Sequence, residues 1–405
     1  MNSKDFFKSG HWPTLFAAFL YFDMSFMVWI MLGPLAIQIA NDLHLDPAQK
    51  GLMVALPVLA GAFLRVVNGL LVDRLRPRLT GIISQIIVIA GLLAFWFFGI
   101  HSYNQVLFLG VILGVAGASF AVALPLASRW YPPHYQGVAL GIAGAGNSGT
   151  VFAALFAPVL AAAFGWGNVI GLAAIPLAVA LIVYLACAKD SPNQPPAKSL
   201  TEYAQVLRQP DAWWFMFYYA VTFGGFSGLA SSLGIYFNTQ YGLDPVTAGY
   251  CTATCVFAGS LVRPIGGAVS DKFGGIRVLT SLYAVAVGAM VLVSFGFAQL
   301  WLGLGIMLVA MLALGMGNGA VFQLVPQRFR AEIGVMTGLV GMTGGVGGFY
   351  LASSLGFSRQ ITGSYQAGFL IFALLAALAL VALTSVKRRW RSTWTSPEGA
   401  VGARI

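Results

Sequence analysis

Apolar residues run along this chain in blocks of about 20, the length a helix needs to cross the hydrocarbon of a bilayer, with short polar segments between them. Twelve such blocks fit, with limits near 14–40, 51–72, 80–99, 104–129, 137–163, 166–188, 211–238, 246–270, 276–298, 301–326, 333–358 and 364–386. The first begins near Leu15 and reaches Ala40. It is too long for the core of a signal peptide and no small-residue cleavage site precedes the next span, so it is expected to stay as a helix. The pattern predicts an all-α integral membrane protein with twelve transmembrane helices. The longest polar segment, Lys189 to Asp211, holds Pro192, Pro195 and Pro196 and falls at the midpoint. It reads as a linker, which divides the chain into a six-helix bundle at 1–188, a linker at 189–210, a second bundle at 211–386 and a tail at 387–405.

Composition agrees. Of 405 residues, 59% are hydrophobic and 8% charged, against roughly 25% charged in soluble domains, which excludes a water-soluble fold. The formal net charge of +10 is not gathered into one basic patch, so no nucleic-acid partner is expected. Its distribution reports topology instead. Lys4, Lys8, Arg74, Arg76, Arg78, Arg129, Lys189, Lys198, Arg208, Lys272, Arg277, Arg328, Arg330 and the basic run from Lys387 to Arg404 all lie on one side. The opposite loops hold only Lys50 and Arg359. The positive-inside bias therefore puts both termini in the cytoplasm of a cell whose inner membrane holds the protein. Cys187, Cys251 and Cys255 lie in apolar runs without a CxxC pair, which argues against a disulfide framework or a zinc site. The sequence lacks a phosphate-binding GxxxxGK[ST] loop, a metal-ligand cluster and a nucleophile elbow, so neither enzymatic chemistry nor a cofactor is expected.

Two basic residues remain, Arg65 and Arg263, and both fall inside spans. Superposing the halves relates Gly51, Arg65, Asp73 and Arg74 to Gly249, Arg263, Asp271 and Lys272 at a constant offset of 198, and Gly117–Phe120 to Gly319–Phe322 at 202. Such an internal duplication is the repeat signature of many secondary transporters. The loop GLLVDRLRPR and its copy GGAVSDKFGGIR resemble the cytoplasmic signature of the major facilitator superfamily. That resemblance implies two six-helix bundles rocking about a central site, with Asp73, Arg74, Asp271 and Lys272 as gating residues that pair in one state and part in the other.

An arginine at mid-span costs about 2.5–3.5 kcal/mol on insertion scales, and the interior of the spans offers one acid, Asp23. Two cations against one anion leave a site short of one negative charge, which a small anion completes. Guanidinium groups suit planar oxyanions such as nitrate, nitrite or a carboxylate, because their N–H donors lie in one rigid plane. Tyr219 and Phe223 are four apart on one helix face and, with Phe120, are candidate walls for a flat anion, although aromatics at helical spacing are usually packing. Glycines punctuate two counterpart helices, GVALGIAGAGNSGT with Asn147 in the fifth and GLVGMTGGVGGF in the eleventh, a spacing that lets backbones approach closely.

These glycine motifs, the two arginines and the opening YFDMSFMVW together resemble the nitrate/nitrite porter family of the major facilitator superfamily, its proton-coupled branch in particular. The resemblance implies that Arg65 and Arg263 clamp the anion, that Asn147 contacts it, that Phe120, Tyr219 and Phe223 enclose it, and that Gly144 and Gly344 line the site. The eleventh-helix copy lacks an asparagine, which leaves polar contact there to the backbone or Thr343. Asp23, a carboxyl in an apolar bundle, can exchange a proton as a cavity opens and closes; its bland alternative is a hydrogen bond to Ser25 or to another helix. The expectation is a monomeric importer of nitrate, with nitrite as a further substrate, driven by protons. The alternatives are a nitrate/nitrite antiporter, an organic-anion facilitator and a non-transporting membrane sensor.

Overall fold

The computed structural model describes residues 3–192, 194, 200–329 and 332–393; Lys198, Arg330, Arg404 and the expected tail beyond Thr393 lie outside them. Among the described residues, twelve helices are long and apolar enough to span a membrane. The first bundle holds α1 (Trp12–Asp42), α2 (Pro47–Leu75), α3 (Pro77–Phe98), α4 (Tyr103–Ser128), α5 (Ala139–Phe164) and α6 (Trp166–Cys187). The second holds α7 (Pro210–Tyr241), α8 (Pro245–Phe273), α9 (Gly275–Ser294), α10 (Leu300–Arg328), α11 (Gly334–Thr362) and α12 (Gln366–Trp390). Phe, Trp and Ile side chains that face outward, such as Phe97, Phe98, Ile182, Trp301 and Ile361, are exposed, as a lipid-facing surface requires.

Helix ends depart from the hydropathy limits where local chemistry extends them. α2 begins at Pro47 rather than near Gly51 because Asp46 accepts the Gln49 N–H at 2.8 Å, while the Gln49 side chain accepts the Asp46 N–H at 3.0 Å, a reciprocal cap that satisfies two orphan donors. At the other end of the chain the helix continues to Thr393, so Lys387–Arg391 is helical where a tail was expected. Trp390 holds it there, stacked on Phe215 at 4.9 Å and donating its indole N–H to Asp211 at 2.9 Å.

Several spans are interrupted. α4 breaks at Ala118–Ser119, α5 passes through a 3-10 turn at Ala145–Ser148, and α8 breaks at Val262 just before Arg263–Pro264. Proline lacks the N–H that would continue the helical ladder. The breaks border the arginines: Arg65 reaches Gly117 beside the α4 break, Arg263 follows the α8 break, and the α5 turn meets Ser260 just before it.

The bundles touch through α2 against α11, α5 against α8 and α1 against α7. Tight crossings lie on the face away from the termini, where a methyl on Gly33 would stand 2.5 Å from the Ser231 carbonyl oxygen and one on Gly51 2.7 Å from Gly356 Cα. By contrast Gly144, buried on the termini side of the breaks, has no described atom of another segment within 4 Å of where a Cβ would stand.

Candidate functional site

Arg65 projects from α2 and is almost fully buried. Its Nε donates to the Gly117 carbonyl at 3.1 Å, where α4 is about to break, and Nη1 donates to the Gly341 carbonyl of α11 at 2.6 Å. The guanidinium is surrounded by rings, with its carbon 5.0 Å from the centroid of Phe223, 5.2 Å from Trp29, 5.4 Å from Phe120 and 5.9 Å from Phe26. Ring faces attract a cation and lower the cost of burying it. Arg263, at the α8 break, stands 5.8 Å from the same Phe120 ring and 5.4 Å from Phe322. The two guanidinium groups therefore share one ring as a common wall. Arg65 Nη2 and Arg263 Nη1 are buried with no hydrogen-bond partner, and among the described residues no ion pair neutralises either group. Buried donors left unmade are costly, so both call for an acceptor.

The aromatic residues assemble as a cage rather than as scattered packing. Tyr219 and Phe223 stack at 5.2 Å with their planes 8° apart, Phe322 meets Tyr219 edge-on at 5.0 Å, and Trp29 lies parallel to Phe223 at 6.5 Å. Phe322, Trp29 and Phe26 were not singled out from sequence. The signal for Phe322 was available, since it is the copy of Phe120 in the second repeat, and the other two lie in the YFDMSFMVW motif.

The glycines divide the labour. A methyl on Gly344 would stand 2.7 Å from Tyr219 and 2.9 Å from Phe223, so this glycine floors the stacked pair, and one on Gly341 would stand 3.6 Å from both Arg65 Cδ and Phe120. Gly345 and Gly348 let α11 reach Val58 and Ala62 of α2. Gly146 and Gly149 instead seat α5 on α1, with a Gly149 methyl meeting the Asp23 carbonyl oxygen at 1.7 Å. Thr343 is not turned to the arginines; its hydroxyl donates to Met216 at 2.9 Å. From α11 the polar contact is the Gly341 carbonyl, which faces Arg65. Asn147 is buried in the 3-10 turn with its Oδ1 unpartnered, and its carbonyl accepts from Thr150 at 2.7 Å and from Ser260 of α8 at 3.5 Å.

Asp23 is buried in α1, and its carboxylate accepts the Ser148 hydroxyl of the same 3-10 turn at 2.6 Å. Its partner is thus a hydroxyl on α5, neither Ser25 nor an arginine. Asp73 does form an ion pair, with Arg129 at 2.8 Å, but both belong to the first bundle, where the pair braces α2 against the end of α4. Among the described residues its copy shows no ion pair of the same form: Asp271 and Lys272 are exposed, as is Arg74, and Lys272 lies over the Phe273 ring. In the second bundle Asp211 takes the bracing part. It accepts from Arg328 at 2.8 Å, from Trp390 and from Arg389.

Two pseudo-symmetric bundles meeting at a buried cationic site define a secondary transporter. The sequence profile described as Major Facilitator Superfamily matches residues 14–352, and the chain belongs to that superfamily. Within it the chain is homologous to the "Nitrite extrusion protein" of Bacillus subtilis, 33% identical over 356 residues that cover 88% of this chain and 89% of the relative. It is likewise homologous to the "Probable nitrate/nitrite transporter NarK2" of Mycobacterium tuberculosis, 35% identical over 367 residues covering 89% and 92%. In fold it is similar to the crystal structure of a bacterial homolog of the human lysosomal transporter Spinster in an inward-facing and occupied conformation, with a TM-score of 0.70, 18% identity, and coverage of 95% of this chain and 98% of that one.

Proposed function

We propose that this protein imports nitrate, with nitrite as a further substrate, across the cytoplasmic membrane, with both termini in the cytoplasm. The observation that carries the reading is the pair of buried guanidinium donors on Arg65 and Arg263 that have no partner among the described residues, one from each bundle, both beside the Phe120 ring. A flat trigonal anion accepts parallel N–H donors in its plane and stacks on aromatic faces, so the cage of Phe120, Tyr219, Phe223 and Phe322 suits it. A larger organic anion is disfavoured by Gly344 lying flat under Tyr219 and Phe223. The names of the homologous transporters agree with this substrate class.

The bundle geometry supports binding from one side and release to the other. Arg65 reaches across the interface to Gly341, so an anion that takes over a guanidinium donor changes what holds the bundles together. The face away from the termini is closed at Gly33–Ser231 and Gly51–Gly356, which supports release on the termini side. Asp23 carries the coupling proton: Ser148 holds its carboxylate on the interrupted part of α5, so movement of that turn changes the carboxylate's surroundings. Nitrate/nitrite exchange is the second reading. It is favoured by the distance of Asp23 from ion pairing with either arginine, and one homologue, from Thermus thermophilus, is named a probable nitrate/nitrite antiporter. Uptake of labelled nitrate into proteoliposomes, with and without an imposed pH gradient and with nitrite preloaded, separates the two. Accumulation driven by the pH gradient alone supports symport; a strict need for internal anion supports exchange.

A further inference from the structure

The two basic residues that the topology leaves on the sparsely charged face, Lys50 and Arg359, do not sit apart. Lys50 comes from the start of α2 in the first bundle and Arg359 from the end of α11 in the second, yet both line one cavity of about 180 Å³ on the seam between the bundles. The cavity lies beside the Gly51–Gly356 crossing, and Ser232, Tyr236 and Thr239 of α7 and Tyr365 add hydroxyl groups to its lining. Among the described residues, no carboxylate lines it.

We infer that this cavity is a second binding site for a small inorganic anion, separate from the Arg65–Arg263 site, in which Lys50 and Arg359 grip the anion from opposite bundles and Ser232 donates its hydroxyl. Three observations support it. Like charges across a seam repel, and Lys50 and Arg359 line the same cavity; an anion between them turns that repulsion into attraction. Both side chains keep donors free: Lys50 Nζ makes no hydrogen bond among the described residues, and Arg359 donates to the Gly363 carbonyl while its guanidinium carbon lies 5.7 Å from the Tyr365 ring. Asp46, one turn before Lys50, is the nearest counter-charge, but one of its oxygens is committed to capping α2 through Gln49. Independently, the Ser232 hydroxyl is buried, only 6% exposed at the residue level, and has no partner, so it is a donor in the cavity wall awaiting an acceptor.

The consequence is conformational. An anion held by one cation from each bundle ties the bundles at the closed face, whereas the empty site pushes them apart. The occupant is taken as a free ion rather than a lipid headgroup because the cavity opens on the seam between α2, α7 and α11.

The test is thermal unfolding of the purified full chain in detergent, titrated with sodium nitrate against sodium gluconate at equal ionic strength. A ligand that binds only the folded state raises the midpoint saturably. The outer site is read in an Arg65→Lys background: the nitrate-dependent rise should persist there, vanish on adding Lys50→Gln or Arg359→Gln, and return with Lys50→Arg. The gluconate midpoint of the Lys50→Gln chain should also be higher than that of its parent, because the repulsion is gone. An undiminished rise in the double variant overturns the proposal, as does no rise in Arg65→Lys alone, or stabilisation by added phosphatidylglycerol with no response to nitrate. The central reading is judged separately: it fails if Arg65→Lys titrates like the parent chain, whatever Lys50→Gln then does.

Discussion

Replacing Arg65 by lysine keeps the positive charge and removes the plane that organises the site. The guanidinium bridges two bundles, donating to Gly117 of α4 at 3.1 Å and to Gly341 of α11 at 2.6 Å while a third nitrogen stays free. A single ammonium on a flexible stem cannot reach both carbonyls and still offer a donor to an anion. At least one hydrogen bond from a charged donor is lost, worth about 1.5–3 kcal/mol. Part of the attraction to the four surrounding rings is lost as well, at roughly 0.5–1 kcal/mol per ring contact. Taking about 3 kcal/mol in all, the specificity constant for nitrate should fall by roughly two orders of magnitude. The assay is nitrate counterflow in proteoliposomes at matched protein, with thermal unfolding in parallel to exclude misfolding. A loss of less than about tenfold with unchanged stability would show that charge alone suffices and that the planar clamp is wrong.

Asp23→Asn should abolish accumulation driven by a pH gradient while sparing exchange of internal for external nitrate, since the amide oxygen still accepts the Ser148 hydroxyl; continued accumulation on a pH gradient alone would assign Asp23 a structural part. Gly149→Ala should sharply reduce the yield of folded protein, because its Cβ would fall 1.7 Å from the Asp23 carbonyl oxygen, whereas Gly144→Ala, with open space at that point, should leave the unfolding midpoint unchanged. Asp211→Asn should lower stability by about 1–2 kcal/mol, a figure kept small because Arg328 and Arg389 are partly exposed, and a midpoint equal to the parent's would show that the network braces nothing.

Much of the architecture is written along the chain, because the bilayer forces every span to be apolar, about 20 residues long and satisfied by its own backbone hydrogen bonds. The twelve spans and the twofold repeat are therefore legible in one dimension. So was the mid-span pair Arg65 and Arg263, because an arginine in a membrane helix stands out wherever it falls. The repeat also predicted a symmetry that the described residues do not show in detail. Asp73 meets Arg129, while its copy Asp271 is exposed and Asp211 braces the second bundle. Matching sequence positions do not secure matching partners, since a partner is chosen by how two helices cross, and crossings depend on side chains contributed by distant segments. The same holds for the cage. The repeat and the YFDMSFMVW motif hint at Phe322 and Trp29, but only the packing of α1, α4, α7 and α10 around the interruptions brings them to the arginines. Lys50 and Arg359 are the clearest case. In sequence they are two stray charges in separate loops, and only the contact of α2 with α11 joins them in one cavity. Composition and periodicity decide which segments enter the membrane, but which charges share a site is decided by the geometry with which those segments pack.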